Sequence, residues 1–107
     1  MKLARGQVWW AELVGDAGYR PVVIISAIEP VLSLKNVTIV EVTSVVRKTP
    51  LEVPLTRAEG MPRDCAINAA NLHTIPKTQL RELLYVLNGE QLFQLDRALM
   101  RALDLEV

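Results

Sequence analysis

Hydrophobic residues in this chain occur in short runs separated by polar, glycine- or proline-containing segments, a spacing typical of small β-rich domains. The runs predict strands over the following ranges: Gln7 to Val14, Pro21 to Ile28, Val37 to Ser44, Leu51 to Leu55, Cys65 to Ala69 and Leu83 to Leu87. The second run is almost wholly β-branched after its proline, which predicts a strand that is buried on both faces.

The segments between these runs predict loops and turns. They are Gly15 to Tyr19, the polar turn Arg47 to Pro50, the loop "TRAEGMPRD" and the irregular stretch "NLHTIPKTQL". In the last of these, Pro76 blocks any helix that begins earlier. Within the first strand Trp9 and Trp10 must face opposite ways, so one belongs to the core and the other to a surface, cleft or interface.

The end of the chain has helical periodicity. Asn88 is suited to cap a helix, and Gln91 stands at the reciprocal position three residues later. A stripe at helical spacing follows, made of Leu92, Leu95, Leu99, Ala102 and Leu103. The sequence therefore predicts a mostly β fold, a small SH3-like barrel of about five to seven short strands with a C-terminal α-helix, as one domain over residues 1–107.

Composition narrows the class of protein. Half of the 107 residues are hydrophobic, which is high for a small monomer and predicts a homodimer. Cys65 is the only cysteine, so no intrachain disulfide can form, and we expect a small buried side chain in a reducing cytoplasm. No apolar run approaches the roughly 20 residues of a membrane helix, so we expect no membrane association.

Charge is balanced overall but not along the chain. The formal net charge is zero, so no global positive field marks a nucleic-acid binder. Residues 31–81 carry seven basic and four acidic side chains, whereas residues 82–107 carry two basic and five acidic ones. This distribution allows a local anion-binding face opposite an acidic helix.

Several kinds of catalytic site lack the residues that they need. His73 and Cys65 are the only residues of their types, so a His/Cys metal cluster cannot form, although carboxylate-bound Mg²⁺ stays an open alternative. No serine has a nucleophile-elbow pattern, and no glycine-rich phosphate loop is present. We expect His73 to have a structural role.

Arg20 stands directly before Pro21, and a residue before proline favours extended backbone. Arg20 is therefore expected at the start of the second strand or at the end of the loop before it. Two interpretations are open at this point. Arg20 is either a solvated charge at a strand end, or a guanidinium that a rigid strand holds over a functional cleft.

Four segments and the final helix closely resemble the MazF/PemK family of toxin endoribonucleases. They are "RGQVWWAEL", "YRPVVIIS", "VEVTSVVR", "PRDCAINAANLHTIPKTQLRE" and the helix "LDRALMRALDL". The resemblance implies the plasmid-maintenance toxin fold, an SH3-like barrel with a C-terminal helix, and a homodimer. It also implies cleavage of single-stranded RNA without metal or other cofactor, and neutralisation by a cognate antitoxin. At matching positions, Arg20 is the family's catalytic arginine and Thr43 its catalytic threonine.

The chemistry of RNA fits these two residues. The 2′-hydroxyl of RNA can attack the adjacent phosphorus, so the protein needs only to align the strand and to stabilise negative charge. Arg20 suits the phosphate, and Thr43 suits a hydrogen-bonding or proton-relaying role. We expect RNA contacts from Tyr19, Ser44, Arg47 and Lys48. Family members often carry an acidic residue where this chain has Ala70, and some related toxins use it in proton transfer. Two outcomes are open: Arg20 and Thr43 suffice without it, or activity is weak or lost.

Two alternatives remain at this stage. One is a toxin of the same fold that binds a protein target such as DNA gyrase without catalysis. The other is a non-toxic SH3-like module that binds RNA or peptide. The RNA motif and the identity of an antitoxin do not follow from the sequence, because base choice depends on loop geometry.

Overall fold

The computed structural model describes residues 3–13, 18–27 and 35–105. The elements in these ranges are β1 Gln7–Leu13, β2 Gly18–Ile24, β3 Asn36–Thr43, β4 Glu52–Leu55, β5 Cys65–Pro76, β6 Leu80–Val86 and α1 Gly89–Ala102. The strands form one curled antiparallel sheet in the order β4-β5-β3-β2-β1-β6. The prediction of a mostly β fold with five to seven strands and a C-terminal helix is confirmed.

The sheet buries apolar side chains on both faces. One core contains Val8, Val23 and Val40 together with Leu95 and Leu99 of α1. A second core lies on the opposite face and is built from residues that alternate with these, namely Trp9, Val22, Ile24, Ile39 and Ile75. The two-sided burial explains why β2 is an unbroken apolar run rather than an alternating one.

The two adjacent tryptophans separate as the strand period requires. Trp9 is buried in the second core, whereas Trp10 is half-buried. This confirms the prediction that only one of them is a core residue.

β5 is longer than the sequence suggested. It reaches Pro76, so the prediction of irregular structure over "NLHTIPKTQL" is wrong for its first six residues. The reason is long-range pairing, because β3 hydrogen-bonds along this segment, with Thr38 opposite Thr74. A bulge accommodates the extra residues, since Val40 pairs with Leu72 but Glu41 pairs with Asn68.

Two strands also begin three residues earlier than predicted. β6 begins at Leu80 rather than Leu83, because Leu80 pairs with Ala11 of β1. β2 already includes Gly18 and Tyr19, which pair with the end of β1 rather than forming loop. β2 ends at Ile24, so the prediction that this strand continues is wrong for residues 25–27. The remaining loop residues 15–17, and the predicted strand ends at 14 and 28, lie outside the described residues.

The helix begins as predicted. Asn88 Oδ1 accepts the Gln91 N–H at 2.8 Å, and Gln91 Oε1 accepts the Asn88 N–H at 2.9 Å, which is a reciprocal capping box. The apolar stripe packs on the sheet through Leu95 and Leu99, but Leu103 is 50% exposed, because the helix ends at Ala102.

Candidate functional site

β2 and β3 bring two predicted site residues to the same end of the sheet. The hydrogen-bonded ladder between these two strands ends with Val22 opposite Glu41. Two residues further along each antiparallel strand, this register brings Arg20 across from Thr43, on the face that carries Val22. Arg20 and Thr43 are 23 positions apart in the sequence, and the fold brings them to the lining of one cleft.

Arg20 is held by a buried carboxylate. Its Nη1 donates to Oε1 of Glu41 at 2.9 Å. The Glu41 side chain is 6% exposed, and that of Arg20 is 38% exposed. The guanidinium therefore lies at the boundary between the protein interior and solvent, with a fixed anion on its inner side.

The second oxygen of the same carboxylate has its own partner. Glu41 Oε2 contacts Nε2 of His73, which lies on β5 at the position opposite Ile39. The expectation that His73 has a structural role agrees with this contact, although its ring is partly exposed. Sequence reasoning missed Glu41 as a site residue. The available signal was a single carboxylate inside the apolar strand "NVTIVEVT".

Thr43 ends β3 with a local side-chain turn. Its Oγ1 accepts the N–H of Val45 at 3.1 Å and donates to the carbonyl oxygen of the same residue at 3.5 Å. Such a bond satisfies the backbone where the ladder stops, and it fixes the hydroxyl at the strand end. The hydroxyl is consequently oriented by its own chain rather than left to rotate freely.

A cleft of about 340 Å³ opens at this end of the sheet. Its lining includes four of the six predicted site residues, which are Tyr19, Arg20, Thr43 and Ser44. The other lining residues are Trp10, Pro21, Val42, Val45, Met61, Pro62, Arg63 and Cys65. Residues from β1, β2, β3 and the segment before β5 thus converge on one concave surface.

Arg47 and Lys48 do not belong to this lining. Both are exposed, and they lie in the turn that follows Val45. The turn is shaped by the Arg47 N–H, which donates to Glu52 Oε1 at 2.9 Å, and by Lys48, which has a positive φ of 56°. The second arginine of the cleft is instead Arg63, which sequence reasoning did not select because the loop "GMPRD" lacks a strand pattern.

An aromatic pair forms one wall of the cleft. The rings of Trp10 and Tyr19 are stacked, with centroids 5.2 Å apart and planes inclined by 6°. Tyr19 is 53% exposed, so its outer ring face is open to solvent. Trp10 is the half-buried ring of this pair, and Tyr19 is the accessible one.

Cys65 closes the inner wall of the cleft. It belongs to the core beneath the sheet, and burial, followed by the charges of Asp64 and Glu59, raises the pKa of its thiol from 9.0 to about 11. A thiol with this pKa stays protonated at neutral pH and is a poor nucleophile. The expectation of a small buried side chain is confirmed.

In the described ranges, no three His, Cys, Asp or Glu side chains are grouped in a way that could hold a metal ion. Among the same residues, no helix has the length and hydrophobicity that crossing a membrane requires.

The family comparison covers most of the chain. The model of the PemK-like, MazF-like toxin of type II toxin-antitoxin systems matches residues 4–103. A curated relative from Mycobacterium tuberculosis, named "Probable endoribonuclease MazF2", is 33% identical over 94 residues, which are 86% of this chain and 89% of the relative.

Solved structures agree with this match. The Mycobacterium tuberculosis toxin MazF-mt6 superposes with a TM-score of 0.86 at 29% identity, over 94% of this chain and 99% of that one. A mycobacterial endoribonuclease in complex with its cognate antitoxin also gives a TM-score of 0.86, at 26% identity over 98% of each chain. The chain therefore belongs to the family of PemK-like, MazF-like toxins of type II toxin-antitoxin systems.

Proposed function

We propose that this toxin is an endoribonuclease that cleaves single-stranded RNA at a cleft containing Arg20 and Thr43. The observation that carries the proposal is the position of Arg20, whose guanidinium is held at the cleft by a buried carboxylate. The name of the MazF2 relative supports this class of enzyme over a toxin that binds a protein target without catalysis.

The reaction uses the nucleophile of the substrate. The 2′-oxygen forms a bond to phosphorus, the bond from phosphorus to the 5′-oxygen breaks, and the electron pair leaves with that oxygen. The proton lost by the 2′-hydroxyl is balanced by one gained at the 5′-oxygen. The products are a 2′,3′-cyclic phosphate and a 5′-hydroxyl.

Arg20 stabilises the negative charge that builds on the non-bridging oxygens. A guanidinium is always charged and presents planar, paired donors, so it suits a phosphate that becomes five-coordinate. Because the strand and Glu41 hold this group in place before substrate binds, little reorganisation is needed in the transition state.

Thr43 supplies a hydroxyl to the same cleft from the neighbouring strand β3. Its Oγ1 accepts the Val45 N–H at 3.1 Å and donates its hydrogen to the Val45 carbonyl oxygen at 3.5 Å. That second bond is long, so the hydroxyl hydrogen is only weakly held. It can be donated to a phosphate oxygen or take part in proton relay. A threonine hydroxyl is too weak a base to abstract a proton alone.

Substrate alignment comes from the rest of the cleft and its surroundings. Tyr19 offers a ring face on which an unpaired base can stack, which favours single-stranded RNA over a duplex. Ser44 and Arg63 lie in the same lining and suit contacts to the sugar-phosphate backbone. Arg47 and Lys48, just beyond it, suit flanking phosphates.

We further infer a cytoplasmic homodimer that is neutralised by a cognate antitoxin. The complex of a related mycobacterial endoribonuclease with its antitoxin supports the partner. Exposed apolar side chains on the edge strand β6, Leu83 and Val86, support the dimer.

The test is cleavage of a long single-stranded RNA by the purified protein, with the 5′ ends mapped. Discrete cuts with 5′-hydroxyl ends that persist in EDTA support the proposal. A substrate with deoxyribose at the scissile position should not be cut, because it lacks the nucleophile. Absence of cleavage would overturn the proposed activity, and cutting of the deoxyribose substrate would overturn the mechanism.

A further inference from the structure

We propose that Glu41 is the positioning residue for Arg20, and that His73 fixes the carboxylate that does so. The inference rests on the proposed function, because it concerns how the arginine of that site is held. Glu41 is absent from the cleft lining and nearly fully buried, so it acts through Arg20 and does not contact the substrate.

The three side chains come from three neighbouring strands. β3 lies between β2 and β5 in the sheet, and Glu41 lies on it between Arg20 and His73. Each carboxylate oxygen has a different partner, since Oε1 accepts from Arg20 Nη1 and Oε2 contacts His73 Nε2. Contacts on both oxygens restrict rotation of the carboxylate about its last torsion, which is otherwise broad.

The burial of Glu41 determines how Arg20 is oriented. A carboxylate taken out of water needs charged or hydrogen-bonding partners, so Glu41 retains Arg20 on its outer side. Arg20 has several rotatable bonds and a partly exposed side chain, and the bond to Glu41 reduces the number of rotamers that it samples. The carboxylate therefore selects the orientation in which the guanidinium borders the cleft.

Placement of this kind affects the chemical step more than binding. A catalytic group displaced by about 1 Å can cost on the order of 100-fold in rate, because its alignment with the reacting atoms is lost. Binding of the RNA substrate before the reaction depends on many other contacts. We therefore expect the loss to fall on kcat rather than on KM.

Glu41→Gln is the first variant, since it keeps the shape and one acceptor oxygen while removing the charge. We expect kcat to fall by roughly 10- to 100-fold, with KM changed by no more than about twofold. Glu41→Asp should restore part of the lost rate, because it keeps the charge. Asp96→Asn is the matched control, because it removes an arginine–carboxylate pair of α1, at 2.6 Å from Arg5, away from the cleft.

A double variant separates positioning from a general structural role. In the Arg20→Ala background, Glu41→Gln should cause no further loss of kcat, because the group that it positions is gone. An equal loss in both backgrounds, or an unchanged kcat in Glu41→Gln alone, would overturn the inference. If Arg20→Ala itself stayed fully active, the proposed function would fail instead, so the two failures are distinguishable.

His73 gives a readout that does not depend on activity. It is the only histidine, so its ring signals in an NMR spectrum need no further assignment. These signals should move in Glu41→Gln and stay in place in Asp96→Asn; unchanged signals in both would contradict the shared carboxylate. His73→Gln should retain more activity than His73→Ala, because an amide can still donate to Oε2.

Folding is checked by thermal unfolding of each variant. If Glu41→Gln does not fold, Glu41→Leu takes its place, since the Arg20 side chain is 38% exposed and its charge can be solvated once the carboxylate is gone. A folded Glu41→Leu protein with full kcat would refute the positioning role.

Discussion

Trp10 and Tyr19 lie on adjacent strands with their rings nearly parallel, 5.2 Å apart between centroids. The alternation of strand side chains puts both on the face opposite to Trp9 and Arg20, so the cleft that they share with Arg20 spans the end of the sheet. Trp10 is half-buried and supports the ring of Tyr19 from below, while Tyr19 remains open to solvent at the cleft. A ring supported in this way loses little conformational entropy when a base stacks on it.

Tyr19→Ala should therefore weaken RNA binding, whereas Tyr19→Phe should not. Stacking of a base on an aromatic ring contributes about 1–3 kcal/mol, so we expect an increase in Kd of roughly 5- to 150-fold for the alanine variant. The measurement is the affinity for an oligonucleotide with deoxyribose at the scissile position. Equal affinities for alanine and wild type would mean that Tyr19 is only a packing residue.

Substitution of Arg20 should cost the most rate in the site. Removal of one preorganised charge stabiliser typically lowers kcat by about 10²- to 10³-fold, and we expect this for Arg20→Ala. Arg20→Lys should recover little, because an ammonium cannot reproduce the planar fork that meets both Glu41 and a phosphate. Single-turnover cleavage of a labelled oligonucleotide measures the chemical step directly.

Thr43→Val tests the hydroxyl apart from packing. Valine keeps the β-branched shape that suits the end of β3, but it removes Oγ1 and its bond to the Val45 N–H. We expect a clear loss of kcat with an unfolding temperature close to that of the wild type. A fully active Thr43→Val protein would remove Thr43 from the mechanism.

Much of the fold could be predicted because local signals and tertiary structure agree. The cap is formed by Asn88 and Gln91, which are three residues apart, so it can be predicted from the local sequence. The extension of β5 to Pro76 could not be predicted in this way. It depends on pairing with β3 across a bulge, and no local sequence pattern indicates that pairing. Long-range pairing overrode the local appearance of a loop.

The same distinction holds for the site. Arg20 stands out because it precedes a proline and an apolar strand, and Thr43 was identified through the family resemblance. Glu41 is a contact across strands, visible only once the register of β2 and β3 is known. Arg63 reaches the cleft from a loop whose path the sequence does not define.

The dimer is expected to use the edge strand β6. Leu83 and Val86 are 45% and 55% exposed there, and an uncovered apolar edge favours association with a second copy. Light scattering should give about twice the chain mass of 11.9 kDa at micromolar concentration. The double substitution Leu83→Asp, Val86→Asp should shift the protein to monomer; a wild-type monomer would contradict the prediction.

Cys65 should make the fold sensitive to alkali. Its pKa is about 11 in the folded protein, raised first by burial and then by Asp64 and Glu59. Between the unfolded value of 9.0 and this one, the folded state holds the proton more tightly, so stability falls as pH rises through that window. Urea unfolding at pH 8 and pH 10.5 should show a smaller decrease for Cys65→Ala than for the wild type.

An antitoxin should cover the cleft with an acidic and apolar segment that is disordered before it binds. The cleft carries the guanidinium groups of Arg20 and Arg63 beside apolar Met61 and Trp10, and such a surface suits carboxylates alternating with apolar anchors. The double substitution Arg20→Glu, Arg63→Glu should weaken binding of the cognate antitoxin by at least about tenfold, because it reverses both charges.

The control for this prediction is Arg101→Glu, which reverses a charge on α1 outside the cleft lining. It should leave antitoxin affinity nearly unchanged at moderate salt, because Arg101 does not line the cleft and salt screens exposed charges. Competition supplies the second measurement: if antitoxin and RNA share the cleft, the non-cleavable oligonucleotide should displace antitoxin in proportion to its own affinity. Simultaneous binding of both would place the antitoxin elsewhere on the toxin.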